Sequence, residues 1–137
     1  MYKRIIAAVD IAKMDRAKRI LCRADALADE DGEVIVMSVI EDVPGYLVAD
    51  LAQDYVDRAI MTAEKKLEEL CAKTGIRAVV EVRAGKCASA ILTVAGERDA
   101  DLIVLGSHVP DISNYFLGAN ADRIVRHARC SVLIDRH

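Results

Sequence analysis

Aromatic side chains are scarce in this 137-residue chain, which has no tryptophan, one phenylalanine and four tyrosines. A base-stacking platform for single-stranded nucleic acid is therefore not available. There is no block of basic residues either. The 19 lysines and arginines are interspersed among 22 acidic residues, for a net charge of −3, so a nucleic-acid partner is not expected. No apolar run approaches the length of a membrane span, so a hydrophobic content of 53% belongs in a buried core rather than in a bilayer. Only five apolar residues separate Arg4 from Asp10, too few for a signal-peptide hydrophobic region, and the chain is expected to be cytosolic.

Cys22, Cys71, Cys87 and Cys130 are widely spaced, with no Cys-x-x-Cys pair and no close histidine. That excludes a recognisable zinc site or disulfide framework and leaves reduced thiols in helical or buried segments. A Walker loop and a Gly-x-Gly-x-x-Gly turn are both missing, so P-loop and Rossmann readings lose the element that would hold their phosphates.

What the chain does have is alternation. Lys3–Val9 is a continuous apolar run, as expected of a strand buried on both faces of a parallel sheet. Ala17, Ile20, Leu21, Ala24, Leu27 and Ala28 make a helical stripe, Asp31-Gly32 reads as the turn that follows, and Val34–Ile40 as a second strand. After Pro44-Gly45 comes a long helix over about Val48–Lys73, its apolar face Leu51, Ala52, Tyr55, Ala59, Ala63, Leu67 and Leu70, ended by Thr74-Gly75. Arg77–Arg83 is a third strand, and Ala88, Ile91, Leu92 and Ala95 form a third helix stopped near Gly96. Leu102–Leu105 is a fourth strand, Ala121, Ile124, Val125 and Ala128 a fourth helix, and Ser131–Ile134 a fifth strand. One α/β domain spanning residues 1–137, with helices on both faces of a parallel sheet, is the expected architecture.

In such a sheet ligands bind beyond the carboxyl ends of the strands, where strand order reverses. Asp10, Val39–Asp42, Gly85-Lys86 and Gly106–His108 stand at those ends. Asp10 can accept hydrogen bonds from a ribose hydroxyl or an exocyclic amine, or serve as a turn residue. Gly118, Ala119 and Asn120 open the fourth helix, whose free N–H groups and positive dipole end favour phosphate, although Asn120 could equally be a simple cap. Lys86 could face a phosphate or only solvent. His108 could touch phosphate, yet no serine–histidine–carboxylate set accompanies it. Nothing converges as acid, base and nucleophile, so no catalytic residue and no metal site are read.

These residues carry a resemblance that runs from Arg4-Ile5-Ile6-Ala7-Ala8-Val9-Asp10 to Cys130-Ser131-Val132-Leu133-Ile134. With Asp10 and the string Gly106–Asn120, the chain resembles the universal stress protein family, in particular a bacterial subgroup with a Gly-Ser-His-x-Pro loop. The resemblance implies a five-stranded parallel sheet in the order 3-2-1-4-5, of the adenine nucleotide alpha hydrolase-like kind, and a homodimer joined through the last strand, here Val132, Leu133 and Ile134. It implies that the chain binds an adenine nucleotide, ATP first or else AMP or ADP, with magnesium as an optional companion of the phosphates. Adenosine would lie against Asp10 and the backbone of Val39, and phosphates over Gly106, His108, Val109, Gly118, Ala119 and Asn120.

The family's ATP motif is Gly-x2-Gly-x9-Gly-Ser/Thr. Here Val109 replaces its second glycine and is followed by Pro110, the spacer to Gly118 is shorter by one residue, and Ala119 replaces the motif hydroxyl. Losing one neutral hydrogen bond, about 0.5–1.5 kcal/mol net, weakens such binding without abolishing it. Two alternatives accompany this reading: a nucleotide-independent homodimeric interaction module, and slow ATP hydrolysis or autophosphorylation.

Overall fold

The computed structural model describes residues 1–41, 46–107 and 118–136. Nine elements follow one another: β1 (Tyr2–Ala8), α1 (Met14–Leu27), β2 (Ala28–Ile40), α2 (Ala49–Thr74), β3 (Val79–Ala84), α3 (Cys87–Glu97), β4 (Leu102–Gly106), α4 (Ala119–His127) and β5 (Ser131–Asp135). The five strands form one sheet in the order β3-β2-β1-β4-β5, and every neighbouring pair is parallel. The expected fold is the observed one.

Strand pleating explains the two-layered core, because successive side chains leave opposite faces of a strand. Ile5, Ala7 and Val9 of the β1 segment pack with Val34, Val36, Leu102 and Val104 under Ala17, Ile20, Leu21 and Ala24 of α1 and Leu67 and Leu70 of α2. Ile6, Ala8, Ile35, Met37, Ile103 and Leu105 face the other way, under Ala88, Ile91 and Val94 of α3 and Ala121 and Ile124 of α4. The central strands thus have no polar face, which is why they read as unbroken apolar runs. A polar contact pins the two central strands at their starts. The Asp101 carboxylate accepts the backbone N–H groups of Lys3 and Arg4 at 2.8 and 3.0 Å.

Two expectations need correction. Asp31-Gly32 does not separate α1 from β2, because the strand begins at Ala28, directly after the helix. Between the pairs Tyr2↔Ala28 and Arg4↔Glu33, β1 advances two residues while β2 advances five, so the dipeptide sits in a bulge. A Cβ at Gly32 would lie 3.0–3.1 Å from the backbone of Asp29 and the Tyr2 carbonyl oxygen. Glycine is there for close backbone approach, not for a loop.

The apolar face assigned to α2 is also only half used. Ala63, Leu67 and Leu70 are buried, whereas Leu51 and Tyr55 are 54% and 41% exposed. At a rise of about 1.5 Å per residue the 26-residue helix is about 39 Å long, against about 20 Å for the 6-residue β3 on which it packs. The buried positions lie in its second half, and the first turns are exposed. The helix ends as expected, on Gly75 in the left-handed conformation with φ 69°. No described helix is long and apolar enough to cross a membrane.

The sheet's two edges differ in chemistry. On β3, Arg83 bridges Glu81 and Glu97 at 3.1 and 2.7 Å, and Arg98 reaches Glu81 at 3.5 Å. On β5, Val132, Leu133 and Ile134 are half-buried and apolar.

Candidate functional site

Strand order reverses between β1 and β4, which lie side by side although β2, β3 and three helices separate them in sequence. A cleft of about 380 Å³ opens there at the carboxyl ends of the strands, within the roughly 300–1,000 Å³ usual for small-molecule sites. Met37, Ile91, Leu105 and Ile124 contribute apolar lining, and Asp10, Lys13, Arg16, Ser38 and Glu41 contribute polar groups.

Each wall follows from local structure. Beyond β1, the Asp10 carboxylate accepts the Ala12 N–H at 2.9 Å and its carbonyl accepts the Lys13 N–H at 3.0 Å. This turn starts α1 at Met14 and holds Asp10 at the cleft. So Asp10 is both turn residue and cleft residue. Val39, near the end of β2, and Glu41, just past it, line the cleft. The Glu41 carboxylate accepts the Cys87 backbone N–H at 2.7 Å and so occupies the start of α3.

At the end of β4, Gly106 lies against α1, since a Cβ there would sit 3.3 Å from Ile20 Cδ1. One turn earlier on the same helix, Arg16 Nη1 donates to the Ser107 carbonyl oxygen at 3.1 Å, and the Ser107 N–H donates to the Asp135 carbonyl oxygen at 3.1 Å. The Asp135 side chain is 4% exposed and pairs with Arg19 at 3.3 Å, fixing the β4–β5 corner.

The start of α4 differs from that of α3. Gly118 is its N-cap, with φ −62° and ψ 160°, and among the described residues no side chain caps the helix. The first intrahelical bond runs from the Asp122 N–H to the Gly118 carbonyl oxygen, so the amides ahead of Asp122 lack helical partners. Asn120 is therefore not the cap that sequence allowed; it is the second helical residue and lines the cleft. Nor does Gly118 serve the turn, since its angles suit any residue. A Cβ on it would meet no atom of the described residues within 4 Å. Its missing side chain leaves room in the cleft.

Of the residues singled out from sequence, Asp10, Val39, Gly106, Gly118, Ala119 and Asn120 all line this one cleft. His108 and Val109 lie outside the described residues. Lys86 is the exposed N-cap of α3 and is not part of the lining. Sequence reasoning missed Lys13 and Arg16, at the start and in the first turn of α1. Their signal was present, two cations three residues apart immediately after the strand-end Asp10.

Cys87 was read only as a reduced thiol, yet it lines the cleft. Burial, with smaller contributions from the Glu41 and Asp10 charges, pushes its thiol up to about 11. It is a neutral, weakly polar wall at physiological pH rather than a nucleophile. All four cysteines are free, and Cys22 is exposed rather than buried.

The universal stress protein family model matches residues 1–136. The chain belongs to the universal stress protein family. Among relatives, universal stress protein G of Salmonella typhimurium (strain LT2) is 31% identical, over 99% of this chain and 100% of that one. A universal stress protein of Thermus aquaticus from the QAH/OAS sulfhydrylase 3′ region is 35% identical, with the same coverage. Among solved structures, hypothetical protein MJ0577 superposes with a TM-score of 0.80 at 21% identity, covering 100% of this chain and 97% of that one. A universal stress protein solved in complex with cAMP superposes with a TM-score of 0.54 at 20% identity, covering 98% and 97%. These likenesses place the fold with the universal stress proteins.

Proposed function

We propose that this universal stress protein binds an adenine nucleotide, with ATP as the leading candidate, as a regulatory ligand in the cleft between β1 and β4. The observation that carries the reading is the start of α4. A helix N-terminus that no described side chain caps borders the cleft, and its N-cap glycine is required neither by its backbone angles nor by its described neighbours. Such a terminus favours a phosphate. Asp10 and the Val39 backbone stand across the same cleft, where ribose hydroxyls and an adenine edge find acceptors and donors. The cAMP complex of a protein of like fold adds support.

Magnesium finds no cage of its own here. Among the described residues no group of three histidine, cysteine, aspartate or glutamate side chains could hold a metal, and in this reading any magnesium travels with the phosphates. No residue is assigned a catalytic role.

The proposal includes a single-domain, cytoplasmic protein that pairs with a second copy through β5. Charged side chains on an edge strand discourage pairing, and Glu81 and Arg83 do so on β3, whereas β5 offers Val132, Leu133 and Ile134. That apolar edge also favours a second reading, a dimeric interaction module indifferent to nucleotide. Titration calorimetry with ATP and AMP separates the two. Saturable binding supports the first, and no binding of either at millimolar ligand refutes it.

A further inference from the structure

A second cavity lies at the opposite end of the sheet from the cleft. It measures about 410 Å³ and opens between the last turns of α3 and α4, at the starts of β4 and β5. Its size is usual for a small-molecule site, and it shares no lining residue with the cleft. Leu92, Ile103 and Ala128 give it apolar walls.

Two residues of the lining stand where backbone preference alone would exchange them. Asp99, at φ 52°, is the one non-glycine among the described residues with positive φ, a conformation that glycine takes at no steric cost. Three positions earlier, Gly96 sits in the ordinary helical backbone of α3, where alanine is the better residue. Packing does not call for glycine either, since an added Cβ meets no atom of the described residues within 4 Å. The missing side chain leaves open volume in the cavity, and the exposed Asp99 side chain puts a carboxylate at its rim.

That rim carries both signs of charge. Asp99 has one long ion pair, 3.9 Å to Arg4. Arg129 lines the same cavity, and among the described residues it has neither an ion pair nor a hydrogen bond. The last bond at the end of α4 runs from the Ala128 N–H to the Ile124 carbonyl oxygen, so the carbonyls that follow lack helical partners and present partial negative charge. Burial, and then the Asp101 charge, push the Cys130 thiol up, which leaves it neutral, and His127 is exposed.

We propose that this cavity binds a small zwitterion with an apolar side chain, an amino acid of the leucine kind. Its carboxylate meets the Arg129 guanidinium, which suits that planar group. Its ammonium meets Asp99 and the carbonyl end of α4, and its side chain fills the volume left open at Gly96. The site is separate from the cleft and does not depend on the nucleotide reading.

Titration of the isotope-labelled full chain with L-leucine, followed by NMR, tests this. The wild type shows saturable shifts at the amides of Gly96, Asp99 and Arg129 and none at Asp10. Isocaproate lacks the ammonium, isoamylamine the carboxylate and glycine the apolar side chain. Each binds at least about tenfold more weakly than leucine, as expected for loss of a charged hydrogen bond or of a buried side chain. Arg129→Met and Asp99→Asn, which keeps a residue tolerant of positive φ, weaken leucine by about tenfold. Gly96→Leu fills the cavity and abolishes binding without lowering Tm. Arg126→Met is the control, because Arg126 pairs with Asp122 at 3.0 Å and is not part of the lining; it binds leucine as the wild type does.

No saturable shift in the wild type at millimolar leucine overturns the proposal, whether or not ATP binds. Undiminished leucine binding by Gly96→Leu overturns the location, and equal loss in Arg126→Met marks a non-specific charge effect. Isocaproate or isoamylamine binding as tightly as leucine overturns the zwitterion. The ligand series and Asp99→Asn leave the packing alone, so they decide the matter even where Gly96→Leu loses its fold.

Discussion

Replacing Gly118 by valine separates what the fold needs from what a ligand needs. At φ −62° and ψ 160° the residue is in ordinary extended backbone, and an added Cβ meets no atom of the described residues within 4 Å. The folding cost is confined to N-cap preference, about 1 kcal/mol or less for a poor cap in place of glycine. For a domain of 137 residues that corresponds to a fall in Tm of about 3–5 °C. The effect on binding is larger, because the new side chain occupies the space in which a phosphate would approach the open amides of α4. Displacing the phosphate breaks at least one hydrogen bond to a charged group, about 1.5–3 kcal/mol, or roughly ten- to a hundredfold in Kd. Differential scanning calorimetry and titration calorimetry on the same preparation read both quantities. Gly118→Val binding ATP as tightly as the wild type refutes a phosphate at this helix start. A fall in Tm beyond about 10 °C refutes the claim that the glycine is dispensable to the fold.

With its thiol pushed up to about 11, Cys87 stays unmodified by iodoacetamide at pH 7.5 while exposed Cys22 reacts, and peptide mass spectrometry reads the difference. Because folding raises this thiol above its ordinary 9.0, the folded chain holds the proton longer than the unfolded one. Its contribution to stability is intact below pH 9 and is lost as pH rises from 9 towards 11, a decline in urea midpoint that Cys87→Ser reduces. Gly32→Ala forces a Cβ to within 3.0–3.1 Å of backbone atoms and costs about 1–3 kcal/mol in urea denaturation. On α2, Leu67→Ala costs about 2–5 kcal/mol because Leu67 is fully buried. Leu51→Gln, in the exposed first turns, stays within about 0.5 kcal/mol; equal losses at the two positions would show that those turns are packed.

Strand and helix identity was legible because burial on two faces leaves an apolar run, as in Ile5–Val9, and burial on one leaves a stripe, as in Ala17–Ala24. The helix ends were legible where a backbone angle demanded a residue type, as at Gly75. Asp31-Gly32 misled because the same dipeptide serves a turn and a close-packed bulge, and only the position of the Tyr2 carbonyl distinguishes them. Leu51 and Tyr55 misled because periodicity reports a helix's own face and says nothing about how far the sheet beneath extends. Asp10, Val39, Gly106 and Gly118 were legible as strand and helix ends. Arg16 was not, because its meaning depends on Ser107, ninety-one positions away in sequence.

The pairing of β1 with β4 has a consequence for how the molecule assembles. β1, β2 and β3 are neighbours in sequence as in space, whereas β4 reaches β1 only by closing a loop of nearly a hundred residues, fastened where Asp101 takes the amides of Lys3 and Arg4. Contacts of such sequence separation form slowly, because chain entropy is lost before they repay it. The seam between the early and the late half runs through the cleft, with Asp10 and Val39 on one side and Gly106 and Gly118 on the other. A molecule that binds there grips both halves at once. It acts as a latch on the longest-range strand pairing of the sheet, and its concentration sets how often that seam opens.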